Sequence, residues 1–479
     1  MEYIIKNKSP EKLFSFFEEI SAIPRGSGNE KGIADYIENF ARSRGLFCVR
    51  DEADNVFARI EGSLGRENED AILLQGHTDM VCEKNSDTVH DFENDPIKLY
   101  IDDEGKLRAR GTTLGADNGV AVALMLYVLD GGLESHPAVE CLFTTSEEVG
   151  LDGAKAFDYS LVKAKGMINL DSEAEGIVTV SCAGGVRSDL MMKPERIDFK
   201  GTALEIKISG LVGGHSGAEI NCGRANANKL MGRILAAIIG QIKYNLVTVE
   251  GGSKDNAIPR ECRAVIAVAD ESAEAAKSAI KAEAGAIYAE LSECDRAMKV
   301  ECGVIAPAVK MLDDLYTRFA VTVPAVATNG VMAMSRDIEG LVEYSRNLGV
   351  IKDDGDVIEF IFSSRSSVES RIDASCTELD TLAAVTGCTT RHYSRYPGWK
   401  YEKESPLRDK YIESARRVLG KEAVVEAIHA GLECGIIKKA IPDMDMLSCG
   451  PVVVNLHSPD EALNIASFER FFSVILKLV

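Results

Sequence analysis

AVECLFTTSEE, residues 138–148, decides the fold. It opens on an apolar run and closes on polar residues, the last two being adjacent glutamates, Glu147 and Glu148. A strand covered by helices on both faces reads this way, because neither face needs polar residues. The glutamates then fall just past its carboxyl end. The same form recurs in AILLQGHTD (71–79) and GMINLDSE (166–173), each an apolar run that ends among His or Asp. Between AILLQGHTD and AVECLFTTSEE lies GVAVALMLYVLDGG (119–132), apolar over the length of a helix. Strands alternating with helices predict an α/β sheet, and sites in such sheets gather beyond the carboxyl ends of the strands. Further upstream, residues 11–46 read as two helices separated at SAIPRGSGNE (21–30), where Pro24, Gly26 and Gly28 break the pattern.

The pattern changes at SCAGGVRSDL (181–190). TALEIKISG (202–210) alternates apolar and polar residues, as a half-exposed antiparallel strand does. A helix over 225–242, two strands and a helix over 272–293 follow. A second round comes next: two strands around the Asp354-Gly355 turn within 341–367, then a helix over 373–387. SRYPGWKYE (394–402) carries the chain back, and GPVVVNLHSPDE (450–461) reads as a buried strand ending in a polar loop. The expectation is a mixed α/β sheet covered by helices and interrupted by an inserted α+β domain. Its boundaries are 1–185 for the first part of the sheet domain, 186–397 for the insert and 398–479 for the second part.

A chain of 479 residues is too long for one ordinary core and agrees with two domains. Lys and Arg number 54 against 75 Asp and Glu, a net charge of −21 that repels phosphate backbones and argues against nucleic acid. No apolar stretch reaches the length of a membrane span. The N-terminal MEYIIKNKSPEKLF lacks a signal-peptide core, so a cytoplasmic protein is expected. The 12 cysteines include no CxxC pair and read as reduced packing residues.

Imidazole and carboxylate recur at the ends of the apolar runs: His77 and Asp79, Glu147 and Glu148, Asp171, and His457 after PVVVNL. Asp117 joins them at the head of the long apolar helix. These groups suit zinc, cobalt or manganese. With no cysteine among them they do not form a closed structural zinc site. The set suffices for two ions sharing one carboxylate. Taken singly, each residue has a plainer reading: a strand-end histidine is satisfied within its loop, an Asp before a helix caps it, and paired glutamates are solvated. Taken together, they place ligand-type residues at one rim of one sheet several times over. His90, His136 and His392 lack that context and read as structural.

GHTDMV, GTTLGADNGVAVALML, TTSEEVGLDGA, INLDSE and GGHSG resemble the signature segments of the di-zinc exopeptidase family that includes carboxypeptidase G, aminoacylase and the carnosine-type dipeptidases. The resemblance spans most of the chain and agrees with an interrupted sheet, the insert being that family's lid domain. It implies that His77 and Asp171 bind one metal, that Glu148 and His457 bind the other, and that Asp117 bridges them. Asp79 would orient His77, and Glu147 would be the general base. In the insert, His215 of GLVGGHSGAEIN (210–221) would donate to the oxyanion. Asn256, Arg365 and Glu433 would contact the substrate, Arg365 at its carboxylate and Glu433 at its amino group. The implied function is hydrolysis of dipeptides, of the Xaa-His and β-alanyl-histidine type or broader, with two divalent ions, zinc first and cobalt or manganese after it. The alternative is an N-acyl amino acid amidohydrolase with the same ions. The resemblance leaves a homodimer through the lid open.

Overall fold

The computed structural model describes residues 3–479. Internal contacts divide the chain into two units. One comprises the segments up to Ser181, Trp399–Ala427 and Leu432–Val479; the other comprises Cys182–Gly398 and Ile428–Gly431. The expected boundaries at 185/186 and 397/398 lie within a few residues of these. The four-residue excursion 428–431, which belongs with the insert, has no counterpart in the sequence reading.

The first unit is built on an eight-stranded sheet. Its order is Phe47–Arg50, Val56–Ile60, Val139–Thr144, Ile72–His77, Gly166–Asn169, Asp445–Ser448, Ile177–Cys182 and Val424–Ile428. Ile72–His77 and Val139–Thr144 are buried at every position, as two-sided helix cover requires. Ile72–His77 runs parallel to both neighbours, with His77 opposite Thr144 and Gln75 opposite Asn169. Ala116–Leu129 is an almost wholly buried helix, apolar on all sides. The amphipathic helix Glu11–Ser21 packs on it and meets the C-terminal helix Ile465–Ile475 through an edge-to-face contact of Phe14 with Phe468, centroids 5.6 Å apart. Among the described residues no helix is long and apolar enough to cross a membrane.

The C-terminal strand differs from the reading of 450–461. The strand that enters the main sheet is Asp445–Ser448, parallel to Gly166–Asn169. Within 450–461 only Val453–Val454 is extended, in a separate four-stranded sheet against Ala462–Asn464. The apolar run PVVVNL misleads because Val453 is buried outside the main sheet, in this small one. Asp445–Ser448 is too short to show a period.

The second unit holds a nine-stranded sheet. Its main order is Lys299–Ile305, Thr202–Ser209, Cys262–Val268, Tyr244–Gly251, Val342–Asp353, Ile358–Ser366, Gly184–Met192 and Thr389–Tyr396, and Gly330–Met334 pairs beside Val342–Asp353. The two rounds seen in the sequence therefore form one continuous sheet, joined where Gly251 pairs with Ile351. Helices Ala227–Ile239, Ala273–Glu290, Asp314–Val326 and Glu369–Val385 share one core with it, among Leu204, Ile206, Leu246, Phe360 and Phe362.

Candidate metal centre

The register of the central parallel strands brings their ends to one level. His77 is the last residue of its strand, Glu147 and Glu148 follow Thr144 closely, and Asp171 follows Asn169. Asp117 arrives from the head of the long helix. It does not cap that helix: the N-cap residue is Gly115. Its two oxygens are spent elsewhere. Oδ1 lies 3.0 Å from His77 Nε2 and Oδ2 lies 3.2 Å from His457 Nε2. His77 Nε2 is also 3.7 Å from Asp171 Oδ1, and His457 Nε2 is 3.1 Å from Glu148 Oε1. Two ligand clusters result, His77–Asp117–Asp171 and Asp117–Glu148–His457, each with its donor atoms within 4.8 Å of one another. Asp117 belongs to both. Glu147 stands with Glu148 and His77 in a third grouping of the same kind.

The electrostatics call for cations. Burial works against charge on His77, yet Asp171, Asp117 and Asp79 push its pKa well above the usual imidazole value. Hydrogen bonds to the Asp117 and Glu148 carboxylates raise that of His457 to about 10. Burial raises Asp171, against the pull of His77. Burial also raises Glu147 to about 9; His77 opposes this, while Asp171, Glu433 and Glu148 add to it. Four carboxylates crowded around two imidazoles carry excess negative charge that divalent ions neutralise. The donors, imidazole and carboxylate without thiolate, fit zinc, cobalt or manganese.

Asp79 works beneath this layer. Its Oδ1 stands 3.3 Å from His77 Nδ1, and its two oxygens accept from the backbone N–H groups of Glu147 and Glu148. Burial opposes its charge, but His77, Ser27 and Glu147 N–H hold its pKa down at about 2. Ser146, just before the glutamates, has φ +53°, a strained value for a side-chain-bearing residue. Glu30 holds it there, accepting from both its N–H and its hydroxyl at 3.0 Å. His457 is likewise left-handed, at φ +59°.

In the second unit, His215 lies on an exposed turn whose short strand pairs with Ala257–Ile258. Its Nδ1 accepts from Ala218 N–H at 3.0 Å and Gly217 N–H at 3.3 Å. That fixes the tautomer with the proton on Nε2. Burial and Arg365 lower its pKa, so the ring is a neutral donor. Asn256 is adjacent, its carbonyl accepting from Ser216 N–H. Arg365 is half-buried, donates to the Tyr396 hydroxyl at 3.0 Å, and has an Nε with no protein partner.

Glu433 is held through one oxygen, and its buried Oε1 has no hydrogen-bond partner among the described residues. The expectation made it a contact for a substrate amino group. It has no exposed surface, and its Oε2 accepts from Gln75 Nε2 at 2.5 Å and from the Thr144 hydroxyl at 2.8 Å. Gln75 in turn accepts from Asn169 Nδ2 at 2.6 Å. Glu433 thus anchors a buried polar layer, one step below the ligands on three strands, and burial raises its pKa to about 7. The sequence reading missed Gln75, Thr144 and Asn169. Their signal was present: a polar residue inside an apolar strand, Gln75 and Asn169 each two places before a ligand and so on the ligand's face. It missed Glu30, Arg25 and Glu461 as well.

A family model described as Peptidase family M20/M25/M40 matches residues 73–479. The chain belongs to this family. It is therefore a peptide-bond hydrolase, and the expected fold class holds. The chain is 37% identical over 477 residues to the cytosol non-specific dipeptidase of Escherichia coli K12, covering 98% of this chain and 97% of that one. It is similar in structure to the aminoacylhistidine dipeptidase of Vibrio alginolyticus, with a TM-score of 0.94, 35% identity and coverage of 98% and 96%. A tripeptidase of Staphylococcus aureus, at TM-score 0.55 and 18% identity, shares the fold.

Proposed function

We propose that this M20 peptidase is a di-metal dipeptidase. The observation that carries the reading is Asp117, whose two carboxylate oxygens face His77 on one side and His457 on the other. His77 and Asp171 would hold one ion, Glu148 and His457 the second, with Asp117 shared. Two divalent ions supply Lewis acidity, polarising the scissile carbonyl and acidifying the attacking water.

The remaining work falls to the chain's own groups. Glu147 takes the proton of the attacking water and delivers it to the leaving amine. Asp79 fixes the His77 ring and, through two backbone N–H groups, the loop that carries Glu147. His215 Nε2–H, its tautomer set by Gly217 and Ala218, donates to the developing oxyanion. Arg365 recognises the substrate carboxylate and Asn256 a backbone polar group, which limits the substrate to a short peptide with a free carboxyl end. The names of the two relatives similar over nearly full length support a dipeptide substrate.

The test is a substrate panel on metal-loaded protein: carnosine, α-dipeptides, tripeptides and N-acetyl amino acids, before and after exhaustive chelation. Turnover of dipeptides that chelation abolishes and zinc, cobalt or manganese restores is expected. Preference for N-acetyl amino acids would make the chain an amidohydrolase. Full activity with no metal by elemental analysis would end the di-metal reading.

A further inference from the structure

Asp117 has to stand between two ligand sets, and nothing in its own loop holds it there. The N-cap position of its helix is Gly115, which has no side chain to offer the free amides. The amides are instead taken by Glu461. Glu461 Oε2 accepts from Leu114 N–H at 2.7 Å and Gly115 N–H at 3.0 Å; Oε1 accepts from Ala116 N–H at 2.8 Å and Asp117 N–H at 3.3 Å. Four successive amides thus curl around one carboxylate that is 2% exposed. The curl needs Gly115, at φ +70°, where a Cβ would also strike Arg25 Nη2 at 2.6 Å. Asp117 and Asn118 are non-helical, so this concave run of amides is an anion-binding nest in the loop ahead of the regular helix, and here the anion is a side chain of the same protein.

Glu461 also sits in the turn that carries His457, closed by Glu461 N–H donating to Ser458 O at 3.0 Å. The turn that presents one ligand therefore grips the loop that presents the shared ligand. Arg25, 2% exposed, completes the arrangement from the other side. Its Nη1 donates to Thr78 O at 2.9 Å and Asp79 O at 3.2 Å, just past His77, and its Nη2 donates to Gly115 O. One buried anion and one buried cation hold the amide and the carbonyl of the same residue.

We propose that Glu461 is a positioning residue for the bridging carboxylate: by holding the Leu114–Asp117 amides from the His457 turn, it sets the spacing of the two metal sites. The proposal rests on the di-metal reading. Every acceptor direction of Glu461 is filled by an N–H, so an amide side chain there would turn its own NH2 against two of the donors. An aspartate would keep the charge and reach fewer of them. Outer-shell partners of metal ligands typically change metal affinity or activity by about 10–100-fold, and Glu461 acts on two ligands at once.

The experiment titrates metal-free parent, Glu461→Gln and Glu461→Asp with Co(II). It follows stoichiometry, the visible spectrum and the magnetic coupling between the ions, with circular dichroism and melting recorded alongside. The parent is expected to bind two coupled ions. Both variants should remain folded, bind the second ion about 10–100-fold more weakly and show altered coupling. With metal in excess, kcat should fall while KM stays within about threefold, and Asp should be the milder change. Variants that melt lower but bind two ions with parental affinity and coupling would make Glu461 merely structural and overturn the proposal, as would collapse of both variants. A parent that binds no pair of ions would instead overturn the di-metal reading itself.

Discussion

Acidification should unsettle the second unit through one residue, His429. The ring is 8% exposed, and its Nε2 meets the Ser345 hydroxyl at 2.7 Å. Burial, and then Arg365, lower its pKa from the usual 6.5 to about 3. A base whose folded pKa is depressed binds fewer protons folded than unfolded across the interval between the two values. Stability is therefore fully present above about pH 6.5 and is lost as pH falls toward 3. Between pH 7 and pH 5 the loss from this group alone is about 2 kcal/mol. That figure hardly depends on the folded pKa as long as it lies well below 5, because the unfolded chain takes up the proton in this range. Glutamine at this position keeps a hydrogen-bonding atom near Nε2 and does not titrate. Urea unfolding of parent and His429→Gln at several pH values across this interval is the assay. The variant is expected to be somewhat less stable at pH 7 and to overtake or equal the parent near pH 5. Parallel stability curves for the two proteins would refute the reasoning. The effect also bears on His215: a Cβ added at Gly217 would come within 2.7 Å of the His429 carbonyl, so the His215 turn rests directly on this segment.

Glu147→Ala should lower kcat by about 10²–10⁴ with two ions still bound, whereas Glu148→Ala should lose metal by elemental analysis; reversed phenotypes would reverse the two roles. His215→Ala should bind both ions, melt like the parent and lose about 10²–10³ in kcat, and an unchanged kcat would leave it a satisfied turn histidine. Arg365→Lys should raise KM for dipeptides by about tenfold or more, since a point charge replaces a bidentate fork; unchanged KM would place the carboxylate contact elsewhere. Asp79→Asn should release the Glu147–Glu148 loop as well as the His77 ring, so kcat should fall by about 10-fold or more, and a variant with parental kcat would remove Asp79 from the machinery.

The candidate metal rim was legible because its residues contrast with their surroundings. His77, Glu147, Glu148 and Asp171 each end an apolar run, and a parallel sheet gathers such ends at one edge. Asp117 was legible as a member of that set, with the plainer reading of a helix cap beside it; the structure has Glu461 take the amides at that position. The sheet order of the first unit was not legible, since Asp445–Ser448 is four residues long and the more apolar 451–456 run outshone it.

What escaped the sequence shares one physical cause. Glu461 binds backbone amides, Arg25 binds backbone carbonyls, and Glu30 binds an amide and its neighbouring hydroxyl. Peptide groups are the same in every residue, so a side chain that recognises them has no complementary partner to find in the sequence. Glu433 illustrates the converse. Its partners, Gln75 and Thr144, are side chains, and they stand out as polar positions within buried strands. Reading Glu433 together with them would have placed its Oε2 in the buried layer below the rim. The residues that do chemistry announce themselves by polarity at exposed ends. The residues that aim them are identified by counting which buried N–H and C=O groups secondary structure leaves unpaired, and at Leu114–Asp117 that count leads to Glu461.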